Sequence, residues 1–382
     1  MIYLDHNATT PPAPGVVQAM LSVLTDVWGN ASSQHPRGQQ AKRALAAARA
    51  TVSRRLGCKP AEVIFTSGAT EANHLAVLGL HAAAGCERRR IVFSAVEHAG
   101  HLALARALET QGVPVDFIGV NPDGTLDLDS AARLIGTDVA LVSLMAVNNE
   151  TGVRMPVDEV RALAHAAGAR LHVDATQFIG KVPFDFARFG ADAVSLSAHK
   201  LRGPKGIGAL LLRQGSTLVP QMQGSQERRR RGGTENLPAI VGFAAALDRL
   251  GDIETEASRV AELRDTLERE LQRALPDMHV FSACAPRVAG TSYLRFGLLP
   301  ADVVLQRMEQ LGVSASSGAA CSSGGSEPSH VLAAMGVPRD EALAAVRLSL
   351  GETTTARDID YLMAALPPLL APLLGTCAAH AA

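Results

Sequence analysis

Lys200 is the side chain whose setting in the sequence most clearly suggests chemistry. It follows an apolar run at residues 193–196, and a loop rich in glycine and proline separates it from a second apolar run at residues 207–212. This pattern predicts strand, turn and strand, with the amine at the end of a buried element and facing a cleft. A partly desolvated lysine can lose its proton near neutral pH and attack a carbonyl carbon. Pyridoxal phosphate is the commonest partner of such a lysine, and a plain surface lysine is the alternative.

Polar groups also follow three other apolar runs. Glu97 and His98 come after residues 91–95, residues 148–150 (Asn-Asn-Glu) come after 141–145, and residues 174–177 (Asp-Ala-Thr-Gln) come after 171–173. In open α/β sheets the ligand lies beyond the carboxyl ends of the strands. We therefore expect these groups and Lys200 to share one rim of a sheet.

The motif SGATE at residues 67–71 is a further candidate for binding. It lies between a strand-like run at residues 62–66 and a helix-like run at 72–84. Free N–H groups at a helix N-terminus form a cradle for a phosphate. Ordinary helix capping produces the same pattern, so the motif alone leaves both interpretations open.

Strand-like and helix-like runs alternate from residue 62 to residue 212. This alternation predicts βαβ crossovers and an α/β protein with a mainly parallel mixed sheet covered on both faces. After Pro276 the pattern changes to short strands and one helix. We expect a large domain at residues 13–256 and a smaller α+β domain at residues 1–12 and 257–382. The glycine- and serine-rich residues 316–329 are expected to form a mobile loop with Cys321 near its centre.

Composition narrows the classes of function. The 382 residues are 47% hydrophobic and 19% charged with a net charge of −1, which is typical of a soluble enzyme and gives no field that would attract nucleic acid or an anionic membrane. No apolar stretch reaches the roughly 18 residues of a membrane span, and no secretory signal is expected at the start. Five cysteines without metal-ligand spacing predict no intrinsic metal site and reduced thiols in the cytoplasm.

Taken together, the motifs resemble those of the NifS/IscS-type cysteine desulfurases. These are pyridoxal-phosphate enzymes of the class V aminotransferase group. The matching motifs, in order, are YLDHNATT, FTSGATEAN, EH (residues 97–98), VNNETG, HVDATQ, SAHKLRGPKGIGAL, RGGTEN, SSGAACSS, EPSHVL and VRLSLGETTT. The resemblance covers the chain from Tyr3 to about Leu366. It implies the type I fold of pyridoxal-phosphate-dependent transferases, a homodimer, L-cysteine as substrate, L-alanine as product and a persulfide on an enzyme cysteine.

The resemblance implies a role for each polar group at the rim. Lys200 matches the Schiff-base lysine, whose amine also moves the α-proton of the substrate. Asp174 matches the carboxylate beside the pyridinium nitrogen, and Gln177 matches a donor to the phenolic oxygen of the ring. His98 matches the histidine that stacks on the ring and exchanges protons with the substrate, and Asn149 matches a residue near ring and substrate. Without these neighbours, Asp174 would be read as a helix cap and His98 as a packing residue.

Other matches concern the anionic groups of cofactor and substrate. The cofactor and its phosphate are expected to contact Ala69, Thr70, Ser197, Ala198 and His199, with Thr234 reaching across the dimer from the partner. Arg347 matches the arginine that binds the substrate carboxylate with both arms of its guanidinium group. The family often has glycine in place of Ala198, where alanine adds only a methyl group. It often has a bulkier pair in place of Ala99 and Gly100, and the smaller residues here are expected to widen the pocket and so to affect which substrates fit.

Cys321 matches the cysteine that accepts sulfur. Its thiolate attacks the sulfur of the substrate and then carries the persulfide to an iron–sulfur scaffold or another acceptor protein, where Cys321 can also be a transient iron–sulfur ligand. The other four cysteines are most simply structural or incidental. Two alternatives stay open: a related enzyme such as a selenocysteine lyase or aminotransferase, and a non-catalytic scaffold. Cys321 argues against an aminotransferase, and its presence together with Lys200, Asp174 and His98 argues against a scaffold.

Overall fold

The computed structural model describes residues 1–85, 87–318 and 327–380, with side chains as far as residue 374. The described strands are β1 (Ile2–Tyr3), β2 (Val63–Thr66), β3 (Arg90–Ser94), β4 (Val115–Ile118), β5 (Val139–Met145), β6 (Arg170–Asp174), β7 (Ala193–Ser197), β8 (Gly208–Leu212), β9 (Met278–Val280), β10 (Thr291–Phe296), β11 (Val313–Ser314), β12 (Ser316–Ser317) and β13 (Val346–Ser349). The described helices are α1 (Pro14–Asp26), α2 (Pro36–Arg55), α3 (Ala69–Ala83), α4 (Ala99–Thr110), α5 (Leu128–Leu134), α6 (Val157–Ala166), α7 (Phe186–Phe189), α8 (Leu237–Asp248), α9 (Ile253–Ala274), α10 (Ala301–Gln310), α11 (His330–Ala334), α12 (Arg339–Leu343) and α13 (Ala356–His380).

A seven-stranded sheet forms the centre of the larger part of the molecule, in the order β2-β8-β7-β6-β5-β3-β4. β8 runs antiparallel to β2 and β7, and the other neighbours are parallel. The strands β5, β7 and β8 are buried along their whole length, as expected where helices cover both faces of a sheet. The prediction of an α/β protein with a mainly parallel mixed sheet is confirmed.

Helices bury the two faces of this sheet in separate apolar clusters. On one face, α3 and α4 contribute residues such as Leu75 and Leu104, which pack with Phe93 of β3. On the other face, α2, α6 and α8 contribute residues such as Val52 and Phe243. Because both faces are covered, the polar ends of the strands are the part of the sheet that is left to line a cavity.

A second core lies over a smaller antiparallel sheet with the order β12-β13-β10-β9. The helices α9, α10 and α13 pack there through residues such as Leu267, Val304 and Leu362, and Leu4 of the N-terminal segment joins them. The nearby pair β1 and β11 is parallel. The domain bounds at residues 12 and 256 stay a prediction.

The prediction of a loop at residues 316–329 is wrong for its first two residues. Ser316–Ser317 forms β12 and pairs with β13, with Ser316 opposite Arg347. The side chain of Ser316 donates to Asp5 Oδ1 at 2.9 Å and accepts from Arg347 Nη2 at 2.8 Å. These tertiary hydrogen bonds extend the strand into a composition that is typical of a loop. No helix within the described ranges is long and apolar enough to cross a membrane.

Candidate active site

A cavity of about 660 Å³ lies beyond the carboxyl ends of β3, β5, β6 and β7. The predicted site residues that line it are Ala69, Thr70, His98, Asn149, Asp174, Gln177, Ser197, His199, Lys200 and Arg347. The N-terminal segment adds Asn7, Ala8 and Thr9. The structure therefore brings together at one rim the polar groups that the sequence predicts to share it.

The first turn of α3 forms one wall of the cavity through Ala69 and Thr70. Gly68 precedes this helix and provides no side-chain cap, so the first N–H groups of the helix have no partner within it. Ser197 and His199 line the same cavity. Unpaired N–H groups at a helix start, together with hydroxyl and imidazole groups, favour a phosphate or another small anion.

Glu71 lies in this first turn, where its charge would oppose an anion. Arg231 pairs with it through two hydrogen bonds, at 2.7 Å from Nε to Oε1 and 3.1 Å from Nη2 to Oε2. The backbone N–H of Ser67 also donates to the carboxylate at 2.7 Å. Burial raises the pKa of Glu71, but these hydrogen bonds outweigh it and leave the pKa below its usual range. Arg231 thus neutralises the carboxylate beside the anion-binding turn.

Asp174 ends β6 and is buried in the wall of the cavity, with 7% of its surface exposed. Its carboxylate accepts hydrogen bonds from Asn73 Nδ2 at 2.7 Å and from the backbone N–H of Thr176 at 2.9 Å. Burial raises the pKa of Asp174, but the hydrogen bonds from Thr176 and Asn73 lower it by more, so the pKa stays below its usual value. The cavity therefore contains a fixed negative charge that suits a cationic group of a ligand.

Lys200 ends the short 3₁₀ turn that follows β7. Its Nζ donates to the carbonyl oxygen of Asn7 and, at 2.7 Å, to that of Ala8. The N-terminal segment is held to the same turn by Thr10, whose N–H and hydroxyl both donate to the carbonyl oxygen of His199. The predicted amine is therefore half-buried at the end of a buried strand and faces the cavity.

His98 is the residue that caps α4, where Nδ1 accepts a hydrogen bond from the backbone N–H of Gly100 at 3.2 Å. Burial lowers the pKa of His98, so the ring is neutral at pH 7. Because Nδ1 accepts this bond, the proton of the neutral ring lies on Nε2. The ring can therefore donate at one nitrogen without carrying a charge.

Arg347 is buried on β13 and reaches the cavity from the smaller sheet. Nη1 donates to the carbonyl oxygen of Asn149 at 3.0 Å, and Nη2 donates to Asp5 Oδ1 at 2.8 Å. The Nε group is buried and has no hydrogen-bond partner among the described residues. A guanidinium group held in this way offers a pre-positioned donor to a carboxylate.

Gln177 is held from two sides. Its Nε2 donates to the carbonyl oxygen of Asn7 at 2.9 Å, and its Oε1 accepts from Lys181 Nζ at 2.5 Å. The same amine donates to Asn7 Oδ1 at 2.6 Å. Burial, followed by the charges of Lys200 and Arg347, lowers the pKa of Lys181 to about 7. A second amine therefore lies directly behind the predicted cofactor residue.

Two predicted residues, Ala198 and Thr234, do not line the cavity, and a third lies outside the described part of the chain. Ala198 is fully buried, and its backbone groups pair with Ile207 and with the turn that follows. Thr234 lines a separate cavity of about 170 Å³, which shares Ser67 and Gly206 with the main one. Cys321 lies outside the described residues. The packing of Ala198 indicates that its backbone positions the neighbouring turn and that its side chain does not contact a ligand in the cavity.

Sequence reasoning missed Asn7, Asn73 and Lys181 as residues that build the site, and it placed Thr176 at the rim without a role. Asn7, Asn73 and Thr176 belong to the motifs YLDHNATT, FTSGATEAN and HVDATQ, which gave a signal that they matter but not which partners they contact. Lys181 lies just beyond HVDATQ, and no sequence pattern indicated that its amine is buried. Among the described residues no group of three His, Cys, Asp or Glu side chains is arranged to hold a metal ion.

Comparison with known proteins gives a consistent family assignment. The family model for aminotransferase class-V matches residues 2–362. A cysteine desulfurase of Cereibacter sphaeroides is 45% identical over 97% of this chain and 95% of its own. A solved NifS-like protein superposes with a TM-score of 0.90 at 31% identity, covering 97% of this chain and 99% of its own. SspA, solved in complex with cysteine, gives a TM-score of 0.82 at 30% identity, covering 93% and 100%. The chain therefore belongs to the class V aminotransferase family and, within it, to the NifS-like cysteine desulfurases.

Proposed function

We propose that this protein is a pyridoxal-phosphate-dependent cysteine desulfurase that converts L-cysteine to L-alanine and leaves the sulfur as a persulfide on Cys321. The observation that carries the proposal is the convergence of Lys200, the ionised Asp174 and the first turn of α3 on one cavity. These are an amine, an anion and an anion cradle. They match the carbonyl, the pyridinium nitrogen and the phosphate of one cofactor.

Buried polar atoms that lack a hydrogen-bond partner in the described part of the chain lie around the cavity and fit this cofactor. Asn73 Oδ1, Thr176 Oγ1 and Arg347 Nε are buried without a hydrogen-bond partner among the described residues, and all three side chains line the cavity. Buried polar atoms in proteins are nearly always paired. Three of the six such atoms among the described residues lie around this one cavity, which supports a polar ligand there. The volume of about 660 Å³ suits a cofactor together with a small amino acid.

When bound, pyridoxal phosphate supplies a ring that accepts the electron pair released at the α-carbon of an amino acid. In this chain, Asp174 holds a proton on the ring nitrogen, which requires its carboxylate to be ionised. Ala69, Thr70, Ser197 and His199 bind the phosphate. The Nζ of Lys200 is the base that removes the α-proton, since of the two lysines that line the cavity, Lys200 and Lys205, it is the one that follows a buried strand.

Arg347 and Asn149 orient the substrate. The guanidinium group binds the carboxylate of cysteine, and its hydrogen bond to the Asn149 carbonyl oxygen fixes the direction of the fork. SspA, a relative that was solved with cysteine bound, supports L-cysteine as the substrate. The neutral ring of His98 carries its proton on Nε2, from which it can be donated to the substrate.

Sulfur leaves the substrate by attack of the Cys321 thiolate. A bond forms between the Cys321 sulfur and the substrate sulfur while the carbon–sulfur bond breaks. The electron pair of the broken bond stays with the carbon, which takes up a proton and becomes the methyl group of alanine. The proton of the substrate thiol stays with the transferred sulfur. No outside oxidant is required.

The proposed enzyme acts as a homodimer in the cytoplasm and passes its sulfur to an iron–sulfur scaffold or another acceptor protein. A dimer is supported by an apolar surface on α1, where Val17, Leu21 and Leu24 are each at least half exposed, next to the exposed Trp28. The sulfur acceptor must be a free thiol before each turnover, a state that a reducing compartment maintains, which supports the cytoplasm.

The proposal is tested by incubating the protein with pyridoxal phosphate and L-cysteine and measuring alanine together with the mass of the Cys321 peptide. We expect alanine to form and the peptide to gain one sulfur of about 32 Da. Lys200→Ala should abolish both signals. Cys321→Ser should lose desulfuration while keeping the visible absorbance of the cofactor, because a hydroxyl is a far poorer nucleophile towards sulfur than a thiolate. Lys59→Met, which removes an exposed lysine bonded to Gln214, should behave as the wild type. Full activity of Cys321→Ser, with the sulfur on another cysteine, would overturn the mechanism.

A further inference from the structure

Lys181 is a buried amine next to the active-site cavity that the proposed mechanism does not use. Its Nζ donates to Gln177 Oε1 at 2.5 Å and to Asn7 Oδ1 at 2.6 Å. It lines a second cavity of about 450 Å³, which Lys200 also lines. Lys181 is not among the residues that line the first cavity, so its contact with a ligand there is made through the residues it holds.

The hydrogen bond to Gln177 fixes the orientation of an amide that could otherwise lie either way round. A lysine ammonium group has donors and no acceptor, so it selects the oxygen of the amide. The nitrogen of Gln177 then points the opposite way and donates one hydrogen to the Asn7 carbonyl oxygen at 2.9 Å. Its second hydrogen is left for the cavity that Gln177 lines. Gln177 can therefore donate to a ligand but cannot accept from it.

Asn7 accepts hydrogen bonds from both Lys181 and Lys200. Its side-chain oxygen accepts from Lys181, and its carbonyl oxygen accepts from Lys200 and Gln177. Asn7 is itself anchored by Thr291 Oγ1 at 2.9 Å, so its two oxygens have fixed positions. One rigid residue thus transmits the position of Lys181 to both groups.

We propose that Lys181 is a positioning residue that orients Gln177 as an obligatory hydrogen-bond donor to an anionic oxygen on the ring of the bound cofactor. The role rests on the proposed pyridoxal-phosphate function. An ionised phenolic oxygen accepts such a bond, whereas a hydroxyl in the same place would compete as a donor. Burial lowers the pKa of Lys181 to about 7, so below that pH the amine is a cation, and its charge then adds to the effect because a nearby cation stabilises the anion. The site therefore selects the ionised form of the ring oxygen through a residue that does not touch it.

The test compares binding of pyridoxal phosphate to the cofactor-free protein, measured by visible absorbance. Lys181→Met should weaken binding roughly tenfold, the loss expected of one charge-assisted hydrogen bond. Lys181→Arg keeps a cation that can donate to both oxygens and should restore most of the affinity. Lys59→Met is the matched control, since it removes an exposed lysine bonded to another glutamine, Gln214. It should bind as the wild type.

A double-mutant cycle with Gln177→Ala separates positioning from a general loss of structure. If Lys181 acts mainly through Gln177, adding Lys181→Met to Gln177→Ala should weaken binding by clearly less than the tenfold loss in the wild type, leaving only the direct effect of the charge. Full additivity of the two changes would overturn the proposal. Should Lys181→Met fail to fold, Lys181→Gln keeps a donor without the charge and must show the same non-additivity.

The pH midpoint of the visible absorbance of the bound cofactor gives a second readout, which a purely structural residue would not move. It should rise in Lys181→Met, because both the lost cation and the misoriented amide disfavour the ionised ring oxygen. Lys200, Arg347 and His6 interact electrostatically with Lys181. The further charged groups that line the second cavity are Arg202, Arg249, Asp252, Glu256 and Glu352, and all of these are kept in this variant. An unchanged midpoint would contradict the role. If the wild type binds no pyridoxal phosphate, the proposed function fails and takes this role with it, whereas wild-type binding with an unaffected Lys181→Met overturns the role alone.

Discussion

Asp174 combines deep burial with a negative charge. Such a charge costs free energy unless hydrogen bonds satisfy it, and Asn73 and the backbone of Thr176 supply these bonds. They also explain why the pKa lies below its usual range although burial acts in the opposite direction. A carboxylate that is kept ionised in a buried wall can hold a proton on the ring nitrogen throughout the reaction.

Replacing Asp174 by Asn keeps the size of the side chain and removes its charge. Because the phosphate and amine contacts persist, we expect the variant to bind pyridoxal phosphate. Alanine formation should fall by a factor of about 100 or more, which is typical for loss of one electrostatic contact to the reacting group. Cofactor titration and alanine analysis on the same samples separate the two effects. A variant that forms alanine at the wild-type rate would contradict the role of the charge.

The groups at the strand ends could be predicted from sequence, but most of their partners could not. Lys200, Asp174 and His98 follow apolar runs, so their shared rim follows from the rules of parallel sheets. Asn73 lies 101 positions away from Asp174, with which it pairs. Asn7 is 193 positions away from Lys200. Such pairings depend on how helices and termini pack, and no local pattern encodes that.

At the level of elements, β8 and the start of α3 approach each other so closely that only glycine fits between them. A Cβ on Gly208 would lie 2.5 Å from the Leu196 carbonyl oxygen and 2.8 Å from the backbone of Gly68. These are backbone atoms of β7 and of the residue that caps α3, and they cannot rotate away. The position of the anion-binding turn is therefore set by a glycine in the neighbouring strand.

Gly208→Ala should displace Gly68 and with it the first turn of α3. We expect a loss of stability of about 1–3 kcal/mol from overpacking, together with weaker binding of pyridoxal phosphate. Gly119→Ala is the matched control, because a Cβ there meets nothing within 4 Å. Urea unfolding and cofactor titration of both variants provide the measurement. Unchanged stability and affinity in Gly208→Ala would show that the close approach does not constrain the turn.

The sequence predicted the strands of the large sheet well and some helices poorly. β5 (Val139–Met145) contains the whole apolar run noted at residues 141–145, because a largely apolar run of this length leaves little choice. α1 was not predicted, since its apolar residues Val17, Leu21 and Leu24 are exposed rather than packed against the core. α13 was also missed, because it contains Pro367, Pro368 and Pro372 and proline normally ends a helix.

The N-terminal segment contains a buried histidine that couples stability to pH. Burial, followed by the charges of Lys181 and Arg202, lowers the pKa of His6 to about 4. The unfolded chain takes up a proton below about pH 6.5, whereas the folded protein does so only near pH 4. Stability should therefore fall as the pH decreases between these values.

His6→Gln removes this proton uptake. Between pH 7.5 and 5.0 the wild type should lose about 2 kcal/mol more stability than the variant, which is about 1.4 kcal/mol for each pH unit below 6.5. Urea unfolding of the cofactor-free proteins at equal concentration measures the difference. An equal loss in both proteins would show that His6 is not the coupled group.

At the scale of the whole molecule, the exposed apolar surface of α1 and the position of Thr234 both point to a second copy. Thr234 lies in a small cavity that shares Ser67 and Gly206 with the main one, but it does not line the main cavity of its own chain. A partner that supplies its own Thr234 would complete the phosphate site in the way that the family resemblance implies. Dimers with twofold symmetry are also the commonest oligomers.

Mixing two inactive variants tests the shared site. In a dimer of Lys200→Ala and Thr234→Ala chains, one site carries both changes and the other carries neither. Activity should therefore recover in part after the subunits exchange. Recovery is measured as alanine formation, and exchange is confirmed by a tag on one chain. No recovery after confirmed exchange would mean that each site is built from a single chain.

The central claim is that Lys200 is the residue that holds the cofactor, and the structure offers a close rival, because Lys181 contacts the same Asn7. Borohydride reduction of the loaded protein makes the link between cofactor and lysine permanent. Peptide mapping by mass spectrometry then shows which lysine carries the cofactor. The account predicts a single modified peptide that contains Lys200. A cofactor attached to Lys181, or no modified lysine in a protein that absorbs like the loaded form, would contradict it.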